Sequence, residues 1–178
     1  MIVYHVAVVA ADDYLTRREG HRSAHLGRIV ALRDSGVCLA GGPSPDGRTA
    51  DLFYRVEQPG DVTRLVEEDP YYKGGVWKAY TAESFANFLE PWQMAPVVID
   101  GSRRASLVEG LAPDVEMASF ALIEARGAGR MTLGGFFADG RTLCLMRTSD
   151  PDEAVQSLRD TDLWKPETLR GRPFLHVL

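Results

Sequence analysis

The sequence has little of what usually announces a function. It has two cysteines, Cys38 and Cys144, each inside an apolar, strand-like run. Two such thiols make no disulfide scaffold, so buried, reduced cysteines in a cytoplasmic protein are expected. Positive charge is not in surplus: 20 Lys and Arg against 25 Asp and Glu leave a net charge of −5, with a pI near 5.4. That balance argues against a nucleic-acid partner or an anionic membrane surface. No apolar run approaches the roughly 18 residues of a membrane span. The start, MIVYHVAVVA, lacks a basic segment and a small-residue cleavage site and alternates as a strand does, so it is not read as a signal peptide. Gly41-Gly42-Pro43 is not followed by a helix or a P-loop lysine, which removes a phosphate cradle. Cys38 has no histidine near it in sequence to activate it. His21 and His25 stand at the i, i+4 spacing of a metal pair. They lack the glutamate of HExxH and a third ligand, so a metal or haem protein is the weaker rival and neither metal nor cofactor is expected.

What is present is a repetition. Ala40 to Thr49 reads AGGPSPDGRT, and Leu133 to Thr142 reads LGGFFADGRT. A shift of 93 relates the two stretches, and between positions 32 and 72 twelve residues are identical to their shifted partners without a gap. The period is a whole domain rather than a solenoid repeat. Ile2 to Val9 reads as a strand, about Asp13 to Ser35 as one helix closed by Gly36, and Val37 to Gly42 as a second strand. Asp46-Gly47 is a hairpin turn signal, and Thr49 to Val56 the returning strand. Pro59-Gly60-Asp61 opens a short helix that Asp69-Pro70 ends, and Val76 begins a fourth strand. The order is βαββαβ, a ferredoxin-like unit. Shifted by 93, Met1 falls on Met94, and MAPVVID takes the place of the first strand. The fold expected is α+β: two ferredoxin-like βαββαβ units, residues 1–92 and 93–178, divided near Pro91-Trp92-Gln93.

The first helix carries a polar stripe on the side that should face its sheet. At 100° per residue, Arg18, Arg22 and His25 fall within the arc of Leu15, Leu26, Ile29, Val30 and Leu32. Burying such groups unpaired would cost several kcal/mol, so each needs a partner or a wet pocket. Snorkelling arginines and a hydrogen-bonded core histidine would also satisfy that need. The shifted partners are Leu111 for Arg18, Val115 for Arg22 and Ala118 for His25. A helix that folds there with apolar residues shows that the fold does not demand the stripe. Pro43 likewise becomes Phe136, whereas Asp69 returns as Asp162 and so remains compatible with turn geometry alone.

Arg18, Arg22, His25-Leu26, Gly36, Ala40 to Pro43 and Asp69-Pro70-Tyr71-Tyr72-Lys73-Gly74-Gly75-Val76, taken together, resemble the YciI-related (YCII) family. The likeness covers most of residues 1–92; the second half shares only the hairpin and the spacing and looks degenerate. The resemblance implies ferredoxin-like domains paired sheet to sheet as a dimeric α+β barrel, here within one chain. It implies a monomer with an internal pseudo-dimer, or a homodimer through other surfaces. It also implies a His–Asp pair in acid–base chemistry, His25 and Asp69. Arg18, Arg22, Gly42, Pro43, Tyr71 and Tyr72 are the implied substrate-binding residues. Few members have an assigned reaction; a chlorohydroxyquinol dehydrochlorinase is one. The expected function is a cofactor-independent lyase- or isomerase-type enzyme moving a proton on an oxygenated, aromatic or polyketide-like small molecule. The alternative is a non-catalytic ligand-binding or accessory protein.

Overall fold

The computed structural model describes residues 1–89 and 96–178. They form two compact units: Met1–Ser84 with Pro96–Ile99 and Val177–Leu178, and 85–89 with Asp100–His176. The first unit runs β1 (Ile2–Ala10), α1 (Tyr14–Arg18), α2 (Arg22–Asp34), β2 (Cys38–Pro43), β3 (Thr49–Val56), α3 (Pro59–Glu67), α4 (Pro70–Lys73) and β4 (Trp77–Ser84). The second runs β5 (Ala86–Leu89), β6 (Arg104–Leu111), α5 (Val115–Gly127), β7 (Met131–Phe136), β8 (Arg141–Met146), α6 (Pro151–Arg159) and β9 (Arg170–Leu175). Their antiparallel sheets are ordered β2-β3-β1-β4 and β5-β7-β8-β6-β9. Each unit is therefore ferredoxin-like, with the second carrying an added edge strand. The expected boundary at 91–93 lies outside the described residues.

Local chemistry accounts for the elements. In β1, Val6 and Val8 join a cluster with Ile29, Val62, Val66, Leu52 and Tyr54, while His5 and Ala7 alternate to the opposite face. Each fully buried apolar side chain in such a cluster contributes about 1.5–3 kcal/mol. The α3 helix starts with a capping box between Gln58 and Asp61 and with Pro59 in its first turn. Pro151 likewise opens α6, where the Asp150 carboxylate accepts from the Asp152 and Glu153 N–H groups.

The repeated glycine pair has a packing reason. Val177 and Leu178 both donate N–H groups to the Gly41 carbonyl, laying the end of the chain along β2. Leu178 Cδ1 comes within 3.1 Å of where a Gly41 side chain would begin. In the second unit β5 pairs with β7, and the backbone of Ala86 occupies the space a Gly135 side chain would need. The last residues thus cover the edge strand β2, and β5 covers β7; an open edge is a liability for pairing with other chains.

Three expectations change. First, the helix from Asp13 to Ser35 is two helices, broken between Arg18 and Arg22 around Gly20. Leu15 is 55% exposed and not in the arc facing the sheet. Second, MAPVVID does not form the first strand of the second unit: residues 96–99 carry no strand, Met94 and Ala95 lie outside the described residues, and β6 takes that place.

Third, the correspondence between units is not one uniform shift. Val6 pairs with Leu52, and Leu52 with Gly41; Val108 pairs with Cys144, and Cys144 with Gly134. The first strands therefore correspond at a shift of 102, α2 with α5 and β2 with β7 at 93, and β3 with β8 at 92. From Ala10 to Arg22 is 12 positions, and from the matching Ala112 to Val115 only 3. The missing nine residues are α1 and its linkers. Arg18 has no counterpart, and Leu111 instead ends β6 opposite Arg141. The hairpin accounts for the slip by one: Ser44 N–H reaches the Thr49 carbonyl, but Phe137 N–H reaches that of Arg141. The first hairpin thus holds one residue more.

Candidate active site

Asp69 is the fixed point. It sits at the N-cap of α4 in an extended conformation, with Pro70 in the first turn. Its Oδ1 accepts from the Tyr71 N–H at 2.8 Å and from His25 Nδ1 at 2.8 Å. A carboxylate only accepts, so Nδ1 carries the hydrogen and Nε2 is left as the basic nitrogen. Nε2 has no hydrogen-bond partner among the described residues. The Asp69 side chain is 0% exposed and that of His25 13%. Tyr71 stacks on the imidazole at 3.8 Å and 9°, and Trp77 meets it edge-on at 5.3 Å. The His25 ring is held in one orientation from three sides, with solvent access.

No hydrogen bond, ion pair or ring contact among the described residues joins Arg18 or Arg22 to His25, Asp69 or Tyr71; their charges act on the Tyr71 hydroxyl. Burial pushes the Tyr71 hydroxyl pKa up, and the Arg18 and Arg22 cations oppose that rise. The Arg18 Nε is buried and makes no hydrogen bond, 3.8 Å from a Glu19 carboxylate oxygen, and its guanidinium lies 5.9 Å from the Tyr14 ring centre. Arg22 is exposed. The remaining expected residues are placed elsewhere. Tyr72 packs edge-on against Tyr80 at 5.7 Å, and Tyr80 donates to Glu67. Gly42 pairs with Asp51, and Pro43 with Ala50 near the end of the strand. No hydrogen bond or ring contact among the described residues joins Gly42, Pro43 or Tyr72 to His25. His21 is not paired with His25 either: its imidazole packs where a Gly74 side chain would be, tying the start of α2 to the end of α4.

The second unit lacks this arrangement. Ala118 occupies the His25 position and is 0% exposed in an apolar cluster with Leu122, Met131, Phe136 and Trp164. The Asp69 N–H bonds the Val66 carbonyl after α3, and the Thr161 N–H bonds that of Leu158 after α6. Thr161, not Asp162, therefore stands at the Asp69 position. Asp162 is exposed with φ 57° and caps no helix. The Thr161 hydroxyl accepts from the Leu163 N–H at 3.4 Å as the Asp69 carboxylate does from the Tyr71 N–H, so the two turns share a side-chain acceptor but not the carboxylate.

Sequence reasoning missed two features. Arg28 lies one turn after His25 on α2, its Nη2 bonded to the Leu65 carbonyl at 3.2 Å, its Nε 4.0 Å from Asp69 Oδ2. A second histidine–carboxylate pair, His5 Nε2 to Asp51 Oδ1 at 2.7 Å, is buried on the sheet face away from the helices. Leu107 and Leu143 stand at those positions in the second unit. The signal for the second pair was polar residues in phase with a buried strand face, which one strand read alone does not reveal. Cys38 and Cys144 are free and buried, and burial pushes both thiols up to about 12, so neither serves as a nucleophile.

No family model matches the chain, and no curated protein matches it either. Among solved structures, a monooxygenase-like protein of Lactobacillus acidophilus superposes with a TM-score of 0.65 over 99% of this chain and 94% of its own, at 11% identity. Another, from Fusobacterium nucleatum, gives 0.55 over 99% and 92%, at 9% identity. The 5-chloro-2-hydroxyhydroquinone dehydrochlorinase of Burkholderia phenoliruptrix, solved with 2,5-dihydroxybenzoquinone, matches at 23% identity over 46% of this chain and 90% of its own, with a TM-score of 0.41. The full-length neighbours are α+β barrel proteins, and at these identities the likeness concerns the fold. No helix among the described residues is long and apolar enough to cross a membrane.

Proposed function

We propose that the first unit is an acid–base active site in which His25 moves a proton on an oxygenated small molecule. The observation that carries this reading is the 2.8 Å bond from His25 Nδ1 to a fully buried Asp69, with Nε2 left without a partner among the described residues. In the reaction, Nε2 takes a proton from a C–H or O–H group of the substrate, and the imidazolium returns it to another atom or to a leaving group. Asp69 fixes the tautomer and stabilises the imidazolium while it lasts. Arg18 and Arg22, whose charges act on the Tyr71 hydroxyl, would hold an anionic phenolate, enolate or carboxylate oxygen. The apolar faces of Tyr71 and Trp77 suit a flat ring. Eliminations and isomerisations share this requirement for one positioned base. The likeness of the first-half motifs to the YciI-related family supports the same pair, and the two units read as tandem copies of one ancestral domain, the second without the site.

The test is turnover of a panel of hydroxyquinols, halogenated phenols and enolisable ketones, followed by NMR in heavy water. Elimination or C–H exchange above background, lost in His25→Ala, is expected. Saturable binding of a panel member without exchange or turnover would instead make this a ligand-binding protein.

A further inference from the structure

Asp69 is more deeply buried than its visible bonds justify. Among the described residues both of its side-chain hydrogen bonds fall on Oδ1, while Oδ2 is buried and makes none. A buried carboxylate with one bare oxygen is expensive to keep ionised unless a cation stands nearby. The cation is present. Arg28 Nε, itself buried and without a hydrogen bond among the described residues, lies 4.0 Å from that oxygen. The rest of the guanidinium is anchored, with Nη2 on the Leu65 carbonyl at 3.2 Å and 3.7 Å from Glu68 Oε2. The charges of Asp69 and Arg28 both act on the hydroxyl of Tyr54, which is fully buried and makes no hydrogen bond among the described residues. Burial drives that hydroxyl's pKa well above its ordinary value, so Tyr54 stays neutral and adds no competing charge.

The second unit supplies the control within the same chain. At the matching positions it has Ala118 for His25, Ala121 for Arg28, Met146 for Tyr54 and Thr161 for Asp69. All four polar groups are replaced together, as members of one device would be. Nothing in the helix–sheet packing requires an arginine at this point, since Ala121 packs against the second core.

We infer that Arg28 is a positioning residue, the fixed counter-charge that faces Asp69 Oδ2 and keeps the carboxylate aimed at His25 Nδ1. It touches no substrate; it acts through Asp69. The inference rests on the reading of His25 and Asp69 as the working pair, but its test does not depend on turnover, so the two can fail separately. The readout is the His25 Nδ1–H proton resonance of the full chain, assigned by its loss in His25→Ala and Asp69→Asn. In Arg28→Met this proton should exchange with solvent at least tenfold faster, and Arg28→Lys should return the rate to within about threefold of the wild type. A folded Arg28→Met protein whose Nδ1–H resonance keeps its position and exchange rate would overturn the inference. Should Arg28→Met fail to fold, the unmodified protein still decides. The Arg28 Nε–H signal should exchange at least tenfold more slowly than those of exposed arginines and shift in Asp69→Asn; exchange like that of an exposed arginine would overturn the inference as well.

Discussion

The two units solve one packing problem with different residues on the same helix face. In the first, α2 presents His25 and Arg28 to a buried carboxylate. In the second, α5 presents Ala118 and Ala121 to Phe136, Trp164 and their neighbours. The apolar solution is the simpler one physically, because it leaves no group to be paired. That the first unit keeps a histidine, an arginine and an aspartate where alanines and a threonine suffice is the strongest internal argument that they serve something other than folding. A further difference is an addition: α1 belongs to the first unit alone. It brings Arg18 towards Tyr71, and its Tyr14 hydroxyl bonds the Asp46 carbonyl of the first hairpin at 2.6 Å.

The comparison can be broken most severely at His25. In a turnover assay, His25→Ala should lower the rate by about 10² to 10⁴, the usual worth of a positioned general base. Adding histidine at the matching site, Ala118→His, should create no activity, because Thr161 cannot act as its carboxylate.

A transplant tests whether the polar set is one device. His25→Ala with Arg28→Ala leaves the Asp69 charge buried on the Tyr71 N–H alone, and should destabilise by roughly 2–4 kcal/mol. Adding Asp69→Thr should recover most of that loss in urea unfolding, since Ala118, Ala121 and Thr161 already coexist in the second unit. A triple variant less stable than the double would show that Asp69 holds the turn for its own sake.

The glycine packing can be probed next. Gly135→Ala should cost about 2 kcal/mol or more, because its new carbon meets the Ala86 backbone, which cannot swing aside. Gly27→Ala on α2, where nothing lies within 4 Å, should raise thermal stability by up to about 1 kcal/mol.

The pH dependence gives the most gradual effect. Burial raises the folded-state pKa of Cys38 and Cys144 to about 12 from an ordinary value of 9.0. The folded chain therefore holds protons that the unfolded chain releases, and each thiol's contribution is complete below pH 9 and lost as pH climbs towards 12. The loss should be roughly 1.4 kcal/mol per pH unit per thiol over that window, and Cys38→Ala should halve the thiol share of the slope.

Much of the fold was legible because its punctuation is local. Asp46-Gly47 and Pro59 act through the chain's own backbone and stand at a turn and a helix start; Asp69-Pro70 follows the end of α3 as read, but it also opens α4, which was not expected. The break at Gly20 was not legible, because the apolar spacing runs through it and only the path of the chain exposes Leu15. The slip from 93 to 92 was hidden for a related reason. Identical residues such as Leu52 and Leu145 suggested one register, while the extra hairpin residue sets Leu52 against Gly41 and Leu145 against Leu133. At the site, His25 and Asp69 could be read because a polar residue on a buried arc needs a partner. Arg28 and the pair of His5 and Asp51 depend on what the opposite element carries, and a single strand or helix does not show that.

The most direct test maps where a ligand lands. Amide and side-chain NMR shifts of the full chain should be followed as a panel compound that binds, such as a hydroxyquinol, is titrated in. This account predicts shifts centred on His25, Tyr71 and Trp77, one molecule bound per chain, and loss of those shifts in His25→Ala. Shifts centred on Ala118 and its neighbours, or on His5 and Asp51 with His25 undisturbed, would contradict it.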